Sequence, residues 1–258
     1  MKDNGCCCED EFEVTDQSVI ENPINPKKEI EEDFIKSLEN QAHDLDIVSV
    51  GYAKIPQYIL KGDELKYSNA IVFIMPISMD IINASPSLEV QKLNNELYVK
   101  FGKATYEISD QLREKGFETQ VAHPSEGLID LTRLAQEAGL GYIGKSRLLL
   151  MPDLGSRLLI SAILTSIENL PFSNNNEHEW IRQYCKRCIK CIRGCLDEAL
   201  VEQASLSEKA NLIDGKCIGC SQGCTYCIKE CIFSREDYKL IKAKQIRLEA
   251  KLREKGLL

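Results

Sequence analysis

The sequence predicts an α/β chain: a body of strands and helices over residues 27–172, a cysteine-rich module over 173–235 and a charged helix over 236–258. Three observations predict it. Apolar residues recur at strand and helix periods in turn through the body. Nine of the twelve cysteines crowd between Cys185 and Cys231. The 258 residues, 43% apolar and 28% charged, are an ordinary globular composition with material for one good core.

Each element follows from its own pattern. Residues 1–26 are acidic, poor in apolar side chains and broken by Pro23 and Pro26, which predicts a disordered tail. That tail carries Cys6-Cys7-Cys8, with no apolar stretch before it, so it reads as a flexible thiol-bearing segment rather than a leader peptide. Lys27 to His43 reads as a helix with Ile30, Phe34, Ile35, Leu38 and Ala42 on one side. Ile47–Ala53 reads as a strand. Ala70–Met75 is a second strand, and its unbroken apolar run places it centrally. Ser87–Lys115 is a long amphipathic helix with a stripe through Leu93, Leu97, Phe101, Ala104, Ile108 and Leu112, and Gly116 as its stop. Phe117–Ala122 is a third strand, and Ile129–Ala138 a short helix ended by Gly139. Arg147–Met151 and Arg157–Thr165 are strand-like runs split by Pro152-Asp-Leu-Gly155. The final helix carries only a thin stripe of Ile241, Leu248 and Leu252, as a solvated surface helix does.

Charge narrows the functions. The net charge is −8, and residues 1–46 hold fourteen acidic against four basic side chains, leaving +2 for the rest. A chain with this balance and no basic domain is a poor phosphate-backbone binder. No apolar stretch is long enough to span a membrane.

The cysteines carry the chemistry. The first run is Cys185-x2-Cys188-x2-Cys191-x3-Cys195, and the second is Cys217-x2-Cys220-x3-Cys224-x2-Cys227-x3-Cys231. The first is the bacterial ferredoxin spacing, in which three thiolates hold one [4Fe–4S] cluster and the fourth crosses to the other. Two runs therefore predict two clusters and a path for electrons. The expected ligands are Cys185, Cys188, Cys191 and Cys231 for one cluster, and Cys195, Cys217, Cys224 and Cys227 for the other. Cys220 is a ninth cysteine that can stand in for Cys217. Both runs lack the usual following proline, having Leu196 and Ile232. Zinc sites favour paired motifs separated by a longer loop, and disulfides need an oxidising compartment. Clusters and many thiols point instead to the reducing cytoplasm of an anaerobe.

Gly139, Gly141 and Gly144 fit G-x-G-x-x-G, but here the glycines follow a helix and open a strand, the reverse of a dinucleotide fingerprint. They predict backbone pressed against something bulky, either a cofactor or the neighbouring sheet.

The stretch from Leu134 through Gly139-Leu-Gly-Tyr-Ile-Gly-Lys-Ser146 to Leu150, then Gly155, the Leu158–Thr165 strand and the double cysteine run, resembles epoxyqueuosine reductase and the cytoplasmic reductive-dehalogenase-like proteins of anaerobes. The resemblance covers roughly residues 27–235. It implies a nitroreductase-like domain beside a ferredoxin-like two-cluster domain, with a base-off cobalamin held between them. By analogy Gly139, Gly141, Tyr142, Gly144, Lys145 and Ser146 would line that corrinoid. The family's acid falls at Ser125, with Glu126 beside it and His123 and Asp130 as nearby polar alternatives.

Two features of the queuosine enzymes are missing, a tyrosine-rich Arg-Asp-Tyr-His segment and a helical-repeat extension, which argues against tRNA as substrate. The expected function is an iron–sulfur oxidoreductase passing electrons through two clusters to a corrinoid, for reduction of a small-molecule substrate. The alternative is an electron-transfer protein that reactivates a corrinoid partner, and epoxyqueuosine reductase activity on tRNA ranks third. Either role implies an electron donor such as ferredoxin or flavodoxin.

Overall fold

The computed structural model describes residues 17–59, 67–124, 129–173, 175–203, 209–213 and 215–256. Cys6–Cys8, Ser125 and Glu126 lie outside the described residues. The body runs α1 (Glu32–Asp44), β1 (Ser49–Lys54), β2 (Asn69–Pro76), α2 (Met79–Asn83), α3 (Leu88–Glu114), β3 (Thr119–Ala122), α4 (Leu131–Glu137), β4 (Tyr142–Ile143), β5 (Leu149–Leu150) and β6 (Leu158–Thr165). The cysteine module adds α5 (Trp180–Arg187), α6 (Lys190–Arg193), β7 (Leu200–Val201), β8 (Asn211–Leu212), α7 (Tyr226–Lys229) and α8 (Tyr238–Glu254).

The main sheet has the order β1-β2-β6-β3 and is antiparallel throughout. β2 and β6 occupy the middle, as their apolar runs require, because both their faces are covered. Alternation along each strand divides the core in two. Ile71, Phe73 and Met75 join Leu159 and Ile163 in the core packed by α1 and α3. Ala70, Val72 and Ile74 join Ala162 and Leu164 in the core beneath α4. Each large side chain fully buried there contributes roughly 1.5–3 kcal/mol. The α4 face is lined by small residues (Ala53, Ala70, Ala122, Ala135, Ala138, Ala162), so the helix lies close to the sheet.

The long helix α3 is capped by Ser87, whose hydroxyl accepts from the Val90 N–H at 3.2 Å. Its 27 residues span about 40 Å at 1.5 Å per residue. Its buried stripe departs from the expected one. Leu93 is 44% exposed while Asn94 is buried, because stepping back from Phe101 by helical spacing reaches Leu97, Asn94 and Val90. Polar groups on this stripe are paired: Thr105 Oγ1 lies 2.7 Å from Ser161 Oγ, and Ser109 Oγ 2.7 Å from Thr119 Oγ1.

Residues 19–27 fall within or beside the segment expected to be a loose tail, yet they are held. The Asn22 side chain donates to the Thr119 carbonyl at 2.9 Å and accepts from its N–H at 2.8 Å. This covers the free edge of β3. Asp110 accepts from the Val19 and Ile20 N–H groups at 3.0 and 3.3 Å, and the Lys27 N–H donates to the Gly116 carbonyl at 2.8 Å. Among the described residues no helix is long and apolar enough to cross a membrane.

Candidate functional site

The first cysteine set is built by three short elements. Cys185 lies near the end of α5, Cys191 lies in α6, and Cys188 sits between them in extended backbone. Cys231 follows α7 and opens a tight turn over Ile232–Ser234. Cys185, Cys191 and Cys231 have raised pKa values to which neighbouring thiols contribute, although burial is the larger cause. Cys191 is pushed up to about 12 and Cys231 to about 11, and Cys185 is pushed up as well. Hydrogen-bond donors oppose this rise. The Lys145 backbone N–H faces Cys185, and the Phe233 and Ser234 N–H groups with the Ser156 hydroxyl face Cys231. Donors aimed at sulfur favour thiolates, the form that binds iron.

The set rests on an aromatic floor. Trp180, Tyr184, Phe233 and Tyr238 interlock, with ring centroids 5.2 Å apart for Trp180–Tyr238 and 5.3 Å for Tyr184–Phe233. The Tyr238 hydroxyl accepts from Trp180 Nε1 at 3.2 Å and lies 2.5 Å from His178 Nδ1.

The second set is arranged differently. Cys195, Cys217, Cys220, Cys224 and Cys227 line one pocket of about 530 Å³, open mouth included, with Leu200 and Leu212 of the β7–β8 hairpin in its wall. Were a [4Fe–4S] cluster held here by four thiolates, one of the five would be surplus, with Cys217 and Cys220 as the alternatives. Among the described residues no three His, Cys, Asp or Glu side chains are gathered tightly enough to hold a single metal ion.

The glycine loop lies between the sheet and both sets. Gly139, at φ +73°, closes α4: its N–H donates to the Gln136 carbonyl and the Leu140 N–H to Ala135. A side chain at Gly141 would meet the Leu150 carbonyl oxygen at 2.4 Å, and one at Gly144 would meet Leu150 Cδ1 at 2.6 Å and the Cys185 sulfur at 3.4 Å. Tyr142 packs onto the aromatic floor. Lys145 is 2% exposed, and its Nζ donates to the Lys186 carbonyl at 3.0 Å and pairs with Glu202 at 3.2 Å. Ser146 lines the second set's pocket. The bulky neighbours of Gly141 and Gly144 are thus β5 and the first cysteine set.

A larger pocket, about 1010 Å³ with its open mouth, lies between the body and the cysteine module. Leu158, Leu159 and Ile160 of β6 form its apolar wall, with Leu148 and Leu149 from the far end of the glycine loop. Of the six loop residues expected to line a cofactor, none lines this pocket. Asn94 and Tyr98 of α3 and Thr225 of the second run do, and sequence reasoning missed all three. The signal was a polar residue on the buried stripe of α3: Asn94 Nδ2 donates to the Cys220 carbonyl at 2.8 Å. Cys220 lines both pockets, unlike the other described cysteines of its set.

The proposed acids fare unequally. Asp130 lines the larger pocket, but it caps α4 through the Arg133 N–H at 3.0 Å and pairs with Arg133 Nε at 3.1 Å. His123 is 2% exposed behind the pocket, its Nε2 3.3 Å from the Tyr98 carbonyl. Burial pushes its pKa down to about 4, so it is neutral at pH 7.

Sequence comparison finds relatives in two families. The chain is 27% identical over 150 residues to the tetrachloroethene reductive dehalogenase of Dehalobacter restrictus, covering 58% of this chain and 26% of that protein. It is 34% identical over 84 residues to the epoxyqueuosine reductase of Gloeobacter violaceus, covering 33% of this chain and 24% of that one. The match thus spans about a quarter of each relative. No family model matches. Among solved structures, a reductive dehalogenase studied for B12-dependent dehalogenation superposes with a TM-score of 0.66 at 17% identity, covering 92% of this chain and 36% of that chain. Epoxyqueuosine reductase from Bacillus subtilis superposes with a TM-score of 0.52 at 16% identity, covering 81% of this chain and 67% of that one. The fold is the mixed α/β fold these two kinds of reductase share.

Proposed function

We propose that this relative of reductive dehalogenases and epoxyqueuosine reductases is an iron–sulfur oxidoreductase that passes electrons through two [4Fe–4S] clusters to a base-off corrinoid in the interlayer pocket, for reduction of a small-molecule substrate. One observation carries the reading. The second cysteine set reaches the large pocket through Cys220, which lines both that pocket and the set's own, and Ser156, whose hydroxyl faces Cys231 of the first set, lines the large pocket too.

The residues present fit both groups. Buried thiols facing N–H donors suit iron ligation. A pocket of about 1010 Å³, open mouth included, with an apolar wall and a few polar groups would receive one face of a large, flat cofactor. A corrinoid bound there would supply a low-potential metal centre, and the protein would supply position and electrons. Asn94 ties α3 to the Cys220 backbone and so fixes the pocket's width. Thr225 does the same for α2, its hydroxyl donating to the Ile82 carbonyl at 3.1 Å. His123, neutral and buried, braces the Tyr98 backbone rather than carrying charge.

A second reading is an electron-transfer protein that reactivates a corrinoid partner. The engaged state of Asp130 favours it, since that carboxylate is already committed to a cap and an ion pair.

The deciding experiment is anaerobic purification after expression with cobalamin, followed by metal analysis and EPR. About eight irons and about one cobalt per chain are expected of the first reading. Eight irons without cobalt would shift the assignment to the reactivator, and a chain without iron would sink both.

A further inference from the structure

We propose that the face of the first cysteine set is the docking surface for an acidic one-electron carrier protein, held by Arg187, Lys190 and Arg193. The inference rests on the two-cluster reading above and names the partner and its place.

Residues 185–193 read Cys-Lys-Arg-Cys-Ile-Lys-Cys-Ile-Arg, four cations and no acid in a chain of net charge −8. Arg187, Lys190 and Arg193 are exposed, interleaved with the ligand positions Cys185, Cys188 and Cys191. Cys188 and Cys231 are half-buried, whereas Cys185 and Cys191 are 7% exposed, so one of the two places where the set approaches solvent is the residue next to Arg187.

The neighbouring acids do not cancel these charges. Glu230 pairs with Arg235 at 3.2 Å, and Glu236 pairs with Lys244 at 2.9 Å. Lys190 feels Glu236 only at a distance. Arg187 donates to Gln245 of α8 at 2.9 Å, a neutral partner that orients the guanidinium and leaves its charge. Among the described residues, neither Lys190 nor Arg193 is in an ion pair. The acids Asp197 and Glu202 belong elsewhere: Asp197 lines the second set's pocket and Glu202 pairs with Lys145.

The physics follows from sign and distance. A chain of net charge −8 repels an acidic protein at long range, so approach is favoured only at a local cationic face. Such a patch raises association rates by about 10- to 1000-fold, an effect that salt removes. Docking there brings the donor to the thin side of the cluster. One electron then leaves the donor's reduced centre and enters the oxidised cluster. No bond is made or broken, and the donor departs oxidised.

The test uses the anaerobically loaded chain and its K190E/R193E variant. Cluster reduction is followed by stopped-flow absorbance with two reductants: a reduced plant-type [2Fe–2S] ferredoxin as the acidic probe, and photoexcited 5-deazaflavin as the uncharged control. The expected result is a fall of about 100-fold in the ferredoxin rate at low ionic strength, with the deazaflavin rate unchanged. The wild-type ferredoxin rate should drop with added salt, and the variant's should not. A ferredoxin rate within twofold of wild type overturns the proposal, as does an equal loss with both reductants. Should the double reversal lose iron, K190Q/R193Q decides by the same comparison. A wild-type chain that binds no iron overturns the electron-transfer reading as well; an iron-loaded chain indifferent to these cations overturns this proposal alone.

Discussion

The first cysteine set is the more embedded of the two and the second the more open. Cys185 and Cys191 are each 7% exposed, and Cys231 leads directly into the buried pair Ile232 and Phe233 on the aromatic floor. The second set stands around a pocket, closed on one side by a hairpin of two-residue strands. The doubled motif in the sequence therefore does not produce a doubled environment. What surrounds the thiols is decided by residues outside the motif: Trp180, Tyr184 and Tyr238 for one set, Leu200, Leu212 and Asn94 for the other. One set anchors the module to the body, and the other borders the larger pocket.

The contrast is most directly challenged by removing one ligand from each set. Cys191→Ser and Cys224→Ser are each expected to lower iron from about eight to about four per chain. Only Cys191→Ser should also destabilise the module markedly, read as a lower urea midpoint by fluorescence of the single tryptophan, Trp180. Equal destabilisation by both would erase the distinction.

Two glycines sharpen it further. Gly155, at φ +60°, would place a side chain 2.4 Å from the Phe233 backbone, beside the first set. Gly223, at φ +80°, would place one 3.3 Å from the Gln91 N and Val90, beside the second. Gly155→Ala is expected to cost about 3 kcal/mol, since strain and overlap combine. Gly223→Ala should cost about 1 kcal/mol, mostly from the left-handed backbone. Denaturant titration of the two variants checks the order.

Tyr238→Phe is a smaller probe of the first set's floor. It removes the hydroxyl shared by Trp180 and His178, with an expected loss of about 1–2 kcal/mol by the same titration.

The last expected effect concerns pH. His123 is depressed to about 4 in the folded chain from an ordinary 6.5. The unfolded chain therefore takes up the proton first on acidification. The His123 proton therefore has no effect on stability above pH 6.5 and lowers stability progressively as pH falls toward 4. His123→Gln should flatten that part of the curve of urea midpoint against pH. An unchanged slope would show that His123 is not its source.

Much of the fold was legible because its strongest signals are local. The apolar run of β2 placed that strand at the centre of the sheet, β6 was legible as a strand but not as its central neighbour, and helical period gave α3. The cysteine spacing grouped Cys231 with the first run, and neighbouring thiols contribute to the raised pKa values of Cys185, Cys191 and Cys231. What was illegible depends on partners distant in sequence. The glycine pattern shows that something must press on Gly141 and Gly144, but only the fold shows that Leu150 and Cys185 do so. The hold on residues 19–27 comes from Asp110, Arg113 and Thr119, about ninety residues away. Leu93 looked like core because one-dimensional spacing tolerates an error of one position, which on a helix turns a side chain through about 100°.

The gathering of Cys231 with Cys185, Cys188 and Cys191 also has a meaning in time. A ribosome emits Cys227 before Cys231. The set that opens first is therefore finished last, and its three leading thiols wait for their fourth while the whole of the other set is being made. During that interval the nascent chain carries reactive sulfur with its aromatic floor still incomplete, since Phe233 and Tyr238 come later still. Oxygen or a stray metal ion meets these thiols most easily then, before the floor and its water-excluding walls have been synthesised.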